Sequence, residues 1–367
     1  MIIKKVHLYK IDMKLLSPFS TSYGTVQDRE LILLEVEDEQ GFTGWGEVVA
    51  FSSPWYTEET IQTCFHMLDD FLIPSLLHKQ LQKPEDVQKL FKPLKRNNMA
   101  KAALDCAVWD LYAKRQNKPL SEVIGGVRSA VEAGVVVGLN DISVMKEQIK
   151  TYMKDGYKRF KVKIKPGADY ELLKQIRDEF PSIPLMADAN SAYTLSDSDS
   201  LKKLDELNLM MIEQPLSSDD ILDHRLLQKQ IKTPICLDES IVSYEDARHA
   251  IEQESCKIIN VKIGRVGGMS VAKQIHNLCA QHGVKLWVGG MLEAGISRAH
   301  NIALATLPSF TIPGDISASS RYWEKDIIKP EVEVEAGVIK VKGKPGIGYD
   351  IDKKFIKKIT AFEKEYK

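Results

Sequence analysis

The sequence predicts an α/β fold: a TIM-type barrel of alternating strands and helices, preceded by an α+β unit and followed by a short β-rich tail. Three changes of rhythm carry that expectation. Up to about Glu47 the apolar residues alternate with period two. From Thr57 to about Gly126 they fall at helical spacing, and beyond Gly126 short β-rich runs alternate with amphipathic segments.

Strands come first because Glu30 to Glu37 and Phe42 to Val49 flank Asp38-Glu39-Gln40-Gly41, a polar, glycine-bearing turn that joins two alternating runs into a hairpin. Helices follow, since Ile61, Cys64, Met67, Leu68, Phe71 and Leu72, then Ala103, Leu104, Ala107, Val108 and Leu111, share helical faces until Gly125-Gly126 ends the block. The third stretch holds eight strand candidates: Val131 to Leu139, Arg159 to Ile164, Leu185 to Asn190, Leu209 to Pro215, Ile235 to Ser240, Ile258 to Ile263, Lys285 to Met291 and Thr311 to Asp315. Helical spacing lies between them, as in Val144 to Tyr152, Tyr170 to Phe180, Asp220 to Lys229, Tyr244 to Glu252 and Ser270 to His282. Eight such units close into a barrel whose reactive groups sit at the C-terminal ends of the strands. The competing architecture is an open doubly wound sheet, but no Gly-x-Gly-x-x-Gly follows any strand. Beyond Asp315, Val332 to Glu335 and Val338 to Lys342 alternate around Gly337, a further hairpin in a tail expected to return to the N-terminal unit.

Composition excludes several classes. Across 367 residues, 50 Lys plus Arg against 51 Asp plus Glu leave no basic surplus for nucleic acid and no acidic tail. No apolar run approaches the roughly 18 residues that span a bilayer, and Met1 to Lys10 alternates like a strand instead of forming a signal core. A cytoplasmic protein with no membrane or nucleic-acid partner is expected, and self-association into a homo-oligomer with it. The five cysteines (Cys64, Cys106, Cys236, Cys256 and Cys279) are odd in number and widely spaced, so they read as core residues or free thiols.

Chemistry is signalled by position. Lys163, Asp188, Glu213, Asp238 and Lys262 stand at or near the ends of five consecutive strands, separated by 25, 25, 25 and 24 residues. One βα unit of a barrel is about that long, about 250 residues serving eight units, so all five should point into one mouth. A single acid at a strand end is usually a helix N-cap. Three in step would repel one another unless a cation sat among them, and oxygen donors without His or Cys suit magnesium, with manganese the alternative. Along Phe160 to Lys165 the apolar residues alternate with Lys161, Lys163 and Lys165. In a closed barrel the apolar set packs under the helices and the lysines face the lumen. Near a divalent ion and out of bulk water the ammonium form is disfavoured, which lets a lysine serve as a base. Two lysines facing across a hard ion suit proton abstraction next to a carboxylate, an arrangement known for enolase-type enzymes.

These residues carry a resemblance. Through Lys161-Val162-Lys163, Asp188-Ala189-Asn190, Ile212-Glu213-Gln214-Pro215, Leu237-Asp238-Glu239-Ser240 and Asn260-Val261-Lys262 the chain resembles the muconate-lactonizing-enzyme subgroup of the enolase superfamily over nearly its whole length. Gly44-Trp45-Gly46-Glu47, Ser53-Pro54-Trp55-Tyr56, Gly290-Met291-Leu292-Glu293 and Pro313-Gly314-Asp315-Ile316-Ser317 make it similar to the branch that holds o-succinylbenzoate synthases of Gram-positive bacteria and N-acylamino-acid and N-succinylamino-acid racemases. The resemblance implies a modified (β/α)7β barrel over 127–320, capped by an α+β domain over 1–126 that the tail, 321–367, rejoins. It implies that Asp188, Glu213 and Asp238 bind magnesium, that Lys163 removes the α-proton of a small carboxylate and then assists loss of hydroxide, and that Lys262 steadies the enediolate. Capping loops near Phe19 to Tyr23 and Phe51 to Trp55 would choose the substrate. Dehydration is the favoured reaction; racemisation by Lys163 and Lys262 on opposite faces is the alternative, and a non-catalytic metal-binding scaffold a third.

Lesser candidates surround these. Asn190 and Glu239 read equally as groups that orient the metal carboxylates or as turn caps. Lys161, Gly290 and Met291 are further site candidates, and Arg265 either tunes Lys262 by like-charge repulsion or makes a surface salt bridge. The eight histidines and Trp109-Asp110 show no ligand spacing, and Gly264 to Gly268 matches no phosphate-binding loop.

Overall fold

Period-two alternation becomes three antiparallel strands: β1 (Ile3–Ser20), β2 (Thr25–Asp38) and β3 (Thr43–Val48). The computed structural model describes residues 1–20 and 25–367. Val6, Leu8 and Ile11 of β1 pair with Val36, Leu34 and Leu31 of β2, so buried residues of the two strands meet as cross-strand neighbours. That sheet packs on the helix Asn98–Arg115. The contact is close enough to need glycine: a Cβ on Gly44 would lie 2.1 Å from the Ala107 carbonyl oxygen, and one on Gly46 would lie 1.9 Å from that of Ala103. Trp45 between them is buried on the other face, and its backbone N–H donates to Asp110 at 2.8 Å.

The helical stretch divides into Ile61–Met67, which runs on through Ile73–Leu76, then Asp86–Phe91, Asn98–Arg115 and Leu120–Ile124. It ends where expected, on Gly125 in the left-handed region at φ +97°.

Alternating units follow. β4 (Ala130–Glu132) is succeeded by seven parallel strands: β5 (Val135–Val137), β6 (Phe160–Lys163), β7 (Leu185–Asp188), β8 (Ile212–Glu213), β9 (Ile235–Leu237), β10 (Ile258–Val261) and β11 (Lys285–Val288), hydrogen-bonded in chain order. The eighth expected run, Thr311 to Asp315, is not a regular strand, yet it closes the ring. Gly134 N–H donates to the Gly314 carbonyl at 2.8 Å on one side, and Asp315 N–H donates to the Val288 carbonyl at 2.9 Å on the other. The first expected run, Val131 to Leu139, is split: β5 joins the barrel beside β6, whereas β4 pairs with Val338–Lys340 of the tail, and at Gly134 between them a Cβ would lie 2.3 Å from the Arg159 guanidinium.

The tail also differs from expectation. β12 (Ile328–Lys329) pairs with β14 (Asp350–Ile351), and β13 (Val338–Lys340) pairs with β4, Val338 opposite Glu132, while only a single bridge joins it to Glu335. β15 (Thr360–Tyr366) does run back to the start of the chain, pairing antiparallel with β1. Among the described residues no helix is long and apolar enough to cross a membrane, and all five cysteines are free and buried.

Substituting Gly46→Ala forces a methyl group into helix backbone that cannot retreat. A loss of about 1–3 kcal/mol is expected from such overpacking, read as a lower urea midpoint with an unchanged slope; an unaltered midpoint contradicts the close approach.

Candidate active site

Each barrel strand gives the lumen every second residue. The floor is apolar: Met186, Met211, Cys236, Ile258 and Trp287 form a buried cluster of their own. Two residues further along their strands, hence on the same side, stand Asp188, Glu213, Asp238 and Asn260, all buried. Lys163 is in register with Asp188, and Asp188 with Glu213. Lys262 follows Asn260 by the same step of two.

The ammonium groups knit this layer together. Lys161 Nζ lies 2.7 Å from Asp315, 3.1 Å from Glu213 and 3.3 Å from Asp188, and 5.1 Å over the Trp287 ring. Lys163 Nζ donates to Asp188 at 3.0 Å and to the Asn190 side-chain oxygen. Across the lumen, Lys262 Nζ donates to Asp238 at 2.8 Å and to the Tyr56 hydroxyl. β6 and β10, which carry the two lysines, are four steps apart in a ring of seven strands and one closing segment, so they face one another.

Electrostatics separate the acids. Burial alone would raise Asp188, but Lys163 and Lys161 hold it below the usual carboxylate range; Asp238 is likewise held low by Arg265 and Lys262 against its burial. Glu213 is pushed up to about 8, by burial and then by the charge of Asp188. Burial also competes with Asp315, Glu213 and Asp188 at Lys161, where the carboxylates win and its pKa rises.

Lys161, Lys163, Asp188, Asn190, Asp238 and Lys262 line one cleft, open to solvent, together with Phe19, Phe51, Gly290 and Met291. Gly290 is required by close approach, since a Cβ there would lie 2.7 Å from the Asp315 carbonyl oxygen. Phe51 and Trp55, with ring centroids 4.4 Å apart, form an aromatic wall. Glu213, Glu239 and Arg265 stand behind this lining. Glu213 accepts from Asn260 Nδ2 at 2.8 Å, and Glu239, pushed up to about 7 by burial and by Asp238, accepts from Asn190 at 3.1 Å. The Asn190 backbone N–H also donates to the Asp188 side chain at 3.2 Å. Tyr23 lies outside the described residues.

Two expectations are corrected. Arg265 makes no surface salt bridge: it is buried, paired with Asp238, and hydrogen-bonded to the carbonyls of Ile241 and Asn260, each at 2.9 Å. Lys165 is exposed beyond the end of β6 and takes no part in the lumen. Two residues escaped the sequence reading. Asp315, which anchors Lys161 and Arg159, stands at the end of the eighth strand run, where the positional rule that found the other acids would have found it. Tyr56 donates to Asp238 at 3.2 Å and accepts from Arg265 at 3.0 Å; it enters from the cap, and no barrel spacing announces it.

Among the described residues, no three His, Cys, Asp or Glu side chains stand as a ready cation cage. Ammonium groups take up the carboxylate oxygens instead. Asp188, Glu213, Asp238 and Asp315 pair with Arg159, Lys161, Lys163, Lys262 and Arg265, while Glu239 is held by Asn190 and Glu293 also lines the cleft, a network larger than the three acids and two lysines legible from spacing alone.

A barrel with charged strand ends under an antiparallel cap defines a class, and sequence comparison agrees. Residues 4–125 match the mandelate racemase / muconate lactonizing enzyme N-terminal domain and residues 144–355 the enolase C-terminal domain-like family, so the chain belongs to this family of the enolase superfamily. Among its relatives, the o-succinylbenzoate synthase of Geobacillus stearothermophilus is 56% identical over 99% of this chain and 97% of its own. The N-succinylamino acid racemase of Thermus thermophilus is 44% identical over 99% and 98%. A solved structure of an enolase-superfamily member from Listeria innocua superposes with a TM-score of 0.97 at 43% identity, covering 100% of this chain and 99% of that one.

The raised Glu213 has a consequence with a definite sign. Its folded pKa of about 8 lies above the unfolded value, so the fold binds the extra proton and stability falls as pH rises between roughly 4.5 and 8. In chelator-treated protein, urea unfolding at pH 5, 6, 7 and 8 should show that decline, and Glu213→Gln should make it shallower, the remainder belonging to the other raised acids, Glu47 and Glu239; an equal slope in the variant contradicts the assignment.

Proposed function

We propose that the chain catalyses the o-succinylbenzoate synthase reaction: syn-dehydration of 2-succinyl-6-hydroxy-2,4-cyclohexadiene-1-carboxylate to o-succinylbenzoate, a step of menaquinone synthesis. The observation that carries the reading is the pair of opposed amines, Lys163 and Lys262, each on its own aspartate across one cleft. High identity to relatives of that name supports it.

Lys163, once neutral, takes the proton α to the substrate carboxylate, and the electron pair of the C–H bond moves into the carboxylate as an enediolate. Protonated Lys163 then gives that proton to the departing hydroxyl on the same face; the enediolate pair returns to form the new ring C=C bond as the C–O bond breaks, and water leaves. Lys262, paired with Asp238, lies on the far side, where it attracts the carboxylate and steadies its growing charge. Lys161 is too firmly held by three carboxylates to act as a base and serves to space them.

The donor set fits a hard divalent cation, Mg2+ first and Mn2+ second: three buried carboxylates in adjacent strands, one of them, Glu213, opposed by its neighbours' charge, and the Asn260 side-chain oxygen buried without a partner. Asp188, Glu213 and Asp238 would hold it, and it would supply stabilisation of negative charge on the substrate carboxylate oxygens. A divalent ion adds positive charge to this site, which suits a substrate carrying two carboxylates.

Racemisation of N-succinylamino acids is the second reading, favoured by the same opposed amines and by the Thermus relative. There each lysine would serve one face. A scaffold role is set aside because it has no use for two such lysines.

A spectroscopic dehydration assay beside polarimetry on an N-succinylamino acid, each with magnesium and with chelator, separates these readings. Fast magnesium-dependent dehydration is expected; fast racemisation with negligible dehydration selects the second reading. Lys163→Ala should lose both activities, by about 10²-fold or more for a missing acid–base group, while titration calorimetry still detects the metal. Near-normal turnover in that variant removes Lys163 as the base.

A further inference from the structure

Arg29 lies on β2, far in sequence from every group assigned to the chemistry, and is 1% exposed. A buried guanidinium is ordinarily matched by a carboxylate. Among the described residues no acid lies within ion-pair distance of Arg29, and its donors go to backbone instead. Nη1 donates to the Ala50 carbonyl at 2.9 Å, Nη2 to that of Val49 at 3.1 Å and Nε to that of Leu292 at 3.4 Å. Its planar face lies over the Phe51 ring, 4.3 Å from the centroid.

These contacts join two segments from opposite parts of the fold. Val49 to Phe51 leads from β3 into the aromatic wall of Phe51 and Trp55. Leu292 belongs to the rim loop that follows β11, and it sits in the left-handed region at φ +53°, which a leucine keeps only where its surroundings enforce it. Phe51, Trp55, Met291 and Leu292 all line the cleft that holds the two opposed lysines. Arg29 itself does not line it.

We infer that Arg29 is a positioning residue for the substrate site: one guanidinium locks the capping segment 49–51 to the barrel rim at Leu292 and so fixes the apolar wall against which substrate is oriented over Lys163. The inference rests on the proposed function for its substrate, and on geometry alone for the locking. An Arg is needed because three carbonyls must be met by one planar fork; a lysine ammonium is a point charge with no such fork. Removing the lock displaces the wall while leaving the amines and carboxylates in place. Substrate binding should suffer more than the chemical step.

The test uses Arg29→Met and Arg29→Lys in the full chain. Steady-state kinetics with the cyclohexadiene substrate are read beside acrylamide quenching of Trp55, isolated by difference from matched Trp55→Phe proteins; the other four tryptophans are buried. Thermal unfolding supplies the folded fraction. For folded Arg29→Met, KM should rise about tenfold with kcat changed less than about threefold, and Trp55 should become more quenchable, with Arg29→Lys in between. KM and quenching both equal to wild type in folded Arg29→Met overturn the inference; if that variant does not fold, the same result in Arg29→Lys does. If the wild type turns over neither the diene nor an N-succinylamino acid, the functional reading fails, and Trp55 quenching still decides the lock.

Discussion

The pleat of a parallel strand governs this protein. Because a barrel offers its lumen only alternate residues, two layers follow from the chain without further instruction: an apolar floor of Met186, Met211, Cys236, Ile258 and Trp287, and above it a plane of Asp188, Glu213, Asp238 and Asn260. The floor excludes water from beneath the charges, and that lowers the local dielectric in which they act. Slipping any of these strands by one residue would turn its acid under the helices, where no cation waits.

Charge balance in that plane sets what the site can do. Burying carboxylates this deeply is costly unless they are matched, and the fold matches them with amines from neighbouring strands and with Arg159 and Arg265. The amines are not equivalent. Lys161 touches three acids and is fixed, whereas Lys163 and Lys262 each hold one acid and reach the cleft, which leaves them free to exchange that partner for substrate. Division of labour among chemically identical side chains arises here from the number of acids within reach.

Much of this was legible in the sequence because the repeat length of a βα unit converts position into geometry. Spacing of about 25 residues brought Lys163, Asp188, Glu213, Asp238 and Lys262 to one mouth; Asp315 falls outside that count but ends the last strand run, so its position at a strand end could have marked it. Periodicity has no such reach outside the barrel. Tyr56 and Arg29 come from the cap, whose seating on the barrel is fixed by tertiary packing, so nothing local marks them. Alternation points Val338–Lys340 to a neighbour in sequence, but its partner, Ala130–Glu132, lies some two hundred residues away and is invisible to a short window. Arg265 follows the end of β10, beyond the last residue whose direction alternation can set, and its burial depends on Asp238, on the Asn260 carbonyl of β10 and on the Ile241 carbonyl beyond β9.

The most direct measurement is a crystal structure of the chain grown with magnesium and o-succinylbenzoate. The account predicts one ion bound by oxygens of Asp188, Glu213 and Asp238, with the product carboxylate beside it and the nitrogens of Lys163 and Lys262 on its two faces. Product bound elsewhere, or an ion that leaves those three carboxylates on their lysines, would contradict it.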